Sequence, residues 1–162
     1  MKAVTVKELN QELLNRTPKE LRDLCLRLSR FKKENKELLT YLLFESSDEA
    51  SYIGSVKEEL ERQFTEVNRK SYYFIKKGLR AILKNTKKYI RYSQSKITEV
   101  ELLIWYCKRM QKFTPSINKN AALRNLYARQ CTEIKSKLTL LHEDLQSDYE
   151  PELKILIEYL AR

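Results

Sequence analysis

The residues from Arg69 to Tyr92, RKSYYFIKKGLRAILKNTKKYIRY, include nine basic side chains and no carboxylate. Ammonium and guanidinium groups grip phosphate oxygens. At about 100° per residue, Arg69, Lys70, Lys76, Lys77, Arg80, Lys84, Lys87, Lys88 and Arg91 share one sector of roughly 120°. Tyr72, Ile75, Leu79, Ile82, Leu83 and Ile90 gather opposite them, which predicts an amphipathic helix with a cationic stripe about 33 Å long. Tyr73 lies inside the stripe, where its ring can stack on an unpaired base or lie against a guanidinium. Phe74, Tyr89 and Tyr92 flank it, and their ordinary role is to complete the core boundary.

The stripe has two plainer readings. Charged stripes opposite an apolar face are usually solvated surface. The segment Glu45–Glu66, with seven acidic residues against Lys57 and Arg62, carries a net −5 just upstream and offers an internal counterion.

Other chemistries lack their parts. Phosphate-cradling loops need glycines in turns, whereas Gly54 and Gly78 sit in helical patterns. The one histidine, His142, follows Cys131 by eleven residues on what reads as one helix, a separation of about 16 Å that forbids a local thiol–imidazole pair. A single histidine cannot supply the paired Glu-x-x-His motifs of di-iron bundles. Glu58, Glu61 and Glu66 lie near one another on a helix, as a carboxylate-only Mg²⁺ site would need, but a solvated acidic face with Glu58 and Arg62 paired at i,i+4 is the plainer reading. These patterns predict a non-enzymatic protein with no metal and no cofactor.

The elements that must hold the stripe are helices. Two glycines and three prolines leave little material for tight turns, and no alternating pattern is present. Thr5 with Glu8, Thr17 with Glu20 and Thr98 with Glu101 each form a capping-box pattern, the second with Pro18 at the first helical position. Apolar residues step through Leu21, Leu24, Leu28 and Phe31, then Leu38, Leu42 and Leu43. Asn35 holds a core position between them and predicts a kink or the start of a second short helix. Ser46–Glu49 reads as a loop and N-cap, before a helix bearing Ile53, Val56, Leu60, Phe64 and Val67. A turn is expected near Asn68, since one helix from Glu49 to Tyr92 would run about 66 Å.

After the polar break Tyr92–Ser95, a helix carries Leu103, Ile104, Cys107 and Met110. Trp105 and Tyr106 make its centre apolar nearly all round, which predicts a central place in the packing. Asn118 begins a pattern through Leu123, Tyr127, Cys131, Ile134, Leu138, Leu141 and Leu145. Asp148 is expected to cap a last helix with Pro151 in its first turn and Leu153, Leu156, Ile157 and Leu160 inward.

The sequence therefore predicts one all-α domain over residues 1–162, with about seven helices in antiparallel hairpins, as a short α-solenoid or an irregular bundle. Cys25, Cys107 and Cys131, scattered and each among apolar residues, read as buried free thiols in a reducing compartment. The first fifteen residues hold no apolar signal core and the longest apolar run, Leu102–Cys107, is far short of a membrane span, so the expected location is cytoplasmic. The opening, LNQELLNRTPKELRDL followed by KENKELLTYLLFE, resembles the start of small uncharacterised all-helical bacterial proteins. The resemblance covers mainly the first third and implies the all-α class without a function.

With a net charge of +10, the expected partner is RNA or DNA, held through phosphates with little sequence readout. The alternative is a protein-interaction scaffold whose basic face receives an acidic protein or a second copy of the chain. An anionic membrane surface fits less well, because the apolar face of the basic helix is committed to the core.

Overall fold

The first two helices begin with reciprocal bonds. Thr5 and Thr17 accept the backbone N–H of Glu8 and Glu20, each at 3.3 Å, while those glutamates accept the threonine N–H groups at 2.8 Å. The bonds start α1 (Val6–Leu14) and α2 (Pro18–Phe31). They also hold both carboxyls below their ordinary range, through the Thr5 hydroxyl first for Glu8 and the Thr17 N–H first for Glu20. Lys32 is extended (φ −142°, ψ 144°) and separates α2 from α3 (Lys33–Thr40). Asn35 donates from its amide to the Leu28 carbonyl at 2.9 Å, closing one open carbonyl of α2, so it belongs to the second short helix that follows the break.

The computed structural model describes residues 1–161, and its regular elements there are all helical, with eight α-helices rather than about seven. Sequence patterning groups the chain as one domain; in three dimensions it gathers into two compact units, Met1–Phe44 and Glu45 onward. A π-helical turn, Tyr41–Glu45, carries the chain from one to the next.

The first unit buries no residue of α1, α2 or α3. Leu24, Leu28, Phe31, Leu42 and Leu43 follow the expected spacing yet remain 40–76% exposed. Helical periodicity chooses a face, but three short helices have no further layer to cover it. Cys25, expected in the core, is exposed for the same reason.

The second unit holds α4 (Glu49–Glu66), α5 (Tyr72–Ser93), α6 (Lys96–Gln111), α7 (Ala121–Leu138) and α8 (Glu143–Tyr159). Asp48 caps α4 as expected, accepting from Ser51 N–H at 3.1 Å. Packing is built around α6, which touches α4, α5, α7 and α8. Leu102, Leu103, Ile104, Tyr106, Cys107 and Met110 are at most 2% exposed on it. Cross-helix bonds give the directions. Tyr52 Oη to the Tyr89 carbonyl (2.9 Å) and Asn85 to Gln63 (2.8 Å) run α5 antiparallel to α4. Tyr106 Oη to the Leu79 carbonyl (2.9 Å), with the short Gln94–Ser95 corner, does the same for α6 on α5. Tyr127 Oη to the Leu156 carbonyl (2.9 Å) ties α7 to α8. The result is a helical bundle of successive hairpins.

Three predicted helix starts move. Thr98 is buried and does not cap; Ser95 does, accepting from Thr98 N–H at 3.3 Å, while Thr98 Oγ1 donates to Glu49 at 2.5 Å. Glu101, freed of capping, meets Lys57 at 2.5 Å. The helix expected from Asn118 begins at Ala121 behind Asn120, after a 3₁₀ turn Ile117–Lys119, and it ends at Leu138. Leu141 and Leu145 therefore lie outside it. The last helix starts earlier than Asp148, at Glu143, with His142 Nδ1 accepting from Asp144 N–H at 3.4 Å. Pro151 then falls in the helix interior, and Ile157 is 46% exposed rather than inward.

Two measurements check this arrangement. Amides of α6 should exchange slowest with deuterated solvent and those of α1–α3 fastest; equal protection would contradict the two-unit description. Glu8 and Glu20 carboxyls should titrate below the ordinary 4.5. A depressed folded-state value means the caps stabilise α1 and α2 above about pH 4.5 and are lost as pH falls through the folded value. Carbon-detected NMR titration reads the midpoints directly, and midpoints at or above 4.5 would contradict the capping geometry.

Candidate nucleic-acid interface

The basic helix forms because its apolar face is buried, and the magnitudes are unequal. Lys76 with Arg80, Arg80 with Lys84, and Lys84 with Lys88 each cost a few tenths of a kcal/mol at i,i+4. Ile75, Leu79, Ile82, Leu83 and Ile90 are 9% exposed or less, and each such burial contributes roughly 1.5–3 kcal/mol. Burial therefore fixes the cations on the outer side.

The helix is shorter at its start than the sequence suggests. α4 stops at Glu66, and Lys70 N–H bonds the Asn68 side-chain oxygen at 2.9 Å within the connecting loop. Arg69 and Lys70 are thus loop residues, and the expected turn near Asn68 stands. The Arg69 guanidinium lies over the Phe113 ring, 4.6 Å from its centroid.

The remaining cations divide by neighbourhood. On one flank Lys87 reaches Glu133 of α7 at 2.7 Å. Near the C-terminus Lys88 lies 4.5 Å above the centroid of Tyr89 and 5.9 Å from that of Tyr92. Lys76 is half-buried. Lys77, Arg80, Lys84 and Arg91 are exposed, and with Lys70 and Lys76 they meet no carboxylate among the described residues. From Lys77 to Arg91 the four exposed cations cover about 21 Å of helix.

Three carboxylates of the upstream acidic segment have partners other than the exposed cations. Glu61 binds Arg109 of α6 at 2.5 Å, and Glu59 binds Arg62 of its own helix. Glu49 accepts from Ser93 and Thr98 and so locks the corner between α5 and α6. The pairing of Glu58 with Arg62 expected from spacing is replaced by Glu59 with Arg62.

Of the aromatics, Tyr73 is 63% exposed and Phe74 43% exposed, their rings edge to face at 5.4 Å. Tyr89 and Tyr92 do complete the core boundary, Tyr92 at 9% exposure. Phe74, expected at the core boundary with them, stays exposed instead.

An open groove runs beside the stripe, between the end of α4 and α5, lined by Glu66, Val67, Phe74, Lys77, Ile82 and Asn85, so one carboxylate shares it with Lys77. Gly78 sets its depth. A Cβ there would lie 2.9 Å and 3.1 Å from the two γ-carbons of Val67, so the loop closes on α5 only because residue 78 has no side chain.

Thiol chemistry lies apart from this face. Cys107 is buried, and burial pushes its thiol up. His142 caps α8 and is not on α7 with Cys131. Among the described residues no cluster of His, Cys, Asp and Glu could hold a metal, and no helix is long and apolar enough to cross a membrane.

No family model matches the chain, and no curated protein or solved structure is significantly similar to it.

Gly78→Ala should destabilise by about 1–3 kcal/mol through overpacking against Val67. In a Val67→Ala background the γ-carbons are gone, so most of that added cost should vanish. Denaturant unfolding of the four proteins of the cycle checks this, and additive penalties would rule out the contact as the reason for glycine.

Proposed function

We propose that the protein binds nucleic acid through the outer face of α5, with Lys77, Arg80, Lys84 and Arg91 on phosphates and little sequence readout. One observation carries the reading: these cations stand exposed in a row and none of them is ion-paired with a carboxylate among the described residues, although Glu66 lines the same groove as Lys77. A row of cations lowers the free energy of a bound polyanion by releasing its condensed counterions. Arg69, Lys70, Lys76, Lys87 and Lys88 surround the row and extend the positive potential without being equally free.

Affinity should fall steeply with salt. Four phosphate contacts predict a slope of log K on log salt of roughly −3 to −4. The triple variant Lys77→Glu, Arg80→Glu, Lys84→Glu should abolish binding in fluorescence anisotropy while leaving the helical circular dichroism unchanged. Retained affinity would remove α5 from the interface. Glu133→Gln, which takes a negative charge from beside Lys87, should raise affinity modestly.

The second reading, a scaffold for an acidic protein or for self-association, is favoured by a different feature. Leu24, Leu28, Phe31, Leu42 and Leu43 of the first unit are exposed at helical spacing, and such faces commonly meet protein. Sedimentation over a range of concentration and salt tests it: association that persists at high salt supports the apolar contact, and a monomer throughout rejects self-association.

A further inference from the structure

The exposed aromatic pair and the groove beside it have no use in a phosphate-only contact. Phe74 and Tyr73 are neighbours in sequence and point about 100° apart, so a helix at a bundle surface would ordinarily bury one of them. Both stay in solvent, immediately before Ile75, which is 1% exposed. Their edge-to-face contact at an interplanar angle of 77° presents ring faces in two directions.

Position along α5 adds a second point. Phe74, Gly78, Ala81 and Asn85 follow one another at helical spacing and line the groove. The exposed cations Lys77, Arg80, Lys84 and Arg91 form a parallel row about 100° around the helix. A cationic track and an aromatic, small-residue and amide track thus run side by side, with Glu66 at the end of α4 as the one carboxylate lining the groove. The groove offers about 480 Å³, within the size range of ligand clefts. Its floor is apolar, with Val67 at 9% and Ile82 at 2% exposure. Its far end carries the Asn85 amide, which donates to Gln63 Oε1 at 2.8 Å and retains a carbonyl oxygen and a second N–H.

A single strand has the matching division, with phosphates on one side and unpaired bases on the other. A duplex does not, because its bases are stacked inside and cannot reach a surface ring. We infer that the groove beside Phe74 is a base track for single-stranded nucleic acid, with the Phe74 ring stacking on one unpaired base, Tyr73 set edge-on against that ring, and the strand continuing along α5 toward Asn85. Eleven residues from Phe74 to Asn85 span about 16 Å, so one base cannot touch both and the track holds more than one nucleotide. This rests on the phosphate-binding reading above and adds the class of strand to it.

The test uses the full chain and three fluorescent probes of one mixed sequence, about 16 nucleotides long: single-stranded DNA, single-stranded RNA and the DNA duplex. Wild type should bind the tighter single strand at least about tenfold better than the duplex. Phe74→Ala should lose about tenfold on the single strand and leave duplex binding unchanged. Phe74→Trp, which keeps a ring face, should retain binding and so separates stacking from folding. Equal or stronger duplex binding, or a Phe74→Ala variant that binds the single strand like wild type, overturns the base track while leaving phosphate contacts standing. Failure of every probe to bind overturns both readings.

Discussion

The burial of α6 is the constraint on which the second unit depends. A helix carrying Leu102, Leu103, Ile104, Tyr106, Cys107 and Met110 at 2% exposure or less cannot stand at a surface, because each such side chain left in water forgoes roughly 1.5–3 kcal/mol. It must be enclosed, and α4, α5, α7 and α8 enclose it. Its few polar atoms are matched by the enclosing helices. Tyr106 donates to the Leu79 carbonyl, and Thr98 donates to Glu49. An unpaired hydroxyl at either site would cost about 1–3 kcal/mol, roughly twice what such a bond contributes net.

Enclosing α6 decides what α5 shows to solvent. Once Leu79, Ile82 and Leu83 face inward, the helical period places Arg80 and Lys84 outward, and no rotation about the helix axis can satisfy both sets otherwise. The neighbours then decide which cations stay free. Glu133 arrives with α7 and takes Lys87; Glu61 of α4 turns to Arg109 of α6. The four exposed cations are what remains after these pairings, so the candidate surface is a product of the packing as much as of the charge run itself.

The first unit shows how far periodicity alone carries a helix. Its capping boxes are fully formed, with Thr5–Glu8 and Thr17–Glu20 bonds on both sides. Its leucines follow the right spacing but find no second layer, so local signals set where helices begin while burial requires partners that three short helices do not contain.

Residues close in sequence made much of this legible. The all-helical class, the central place of α6, the caps at Thr5, Thr17 and Asp48, and the break near Asn68 all follow from interactions spanning three or four residues or from the 3.6-residue period. Spacing alone does not place the caps at Ser95 and His142, because a cap depends on what else competes for the side chain. Thr98 is drawn to Glu49, forty-nine residues away, and His142 starts α8 about a turn and a half earlier than Asp148 could. The same holds for the basic face: the sequence by itself determined that nine cations would share one stripe-like region without a carboxylate among them. Only the tertiary structure decided that Arg69 and Lys70 leave the helix, that Lys87 meets Glu133, and that Phe74 stays in solvent beside a groove floored by Val67. Those outcomes depend on which helices come to lie on either side of α5, and no local period encodes that.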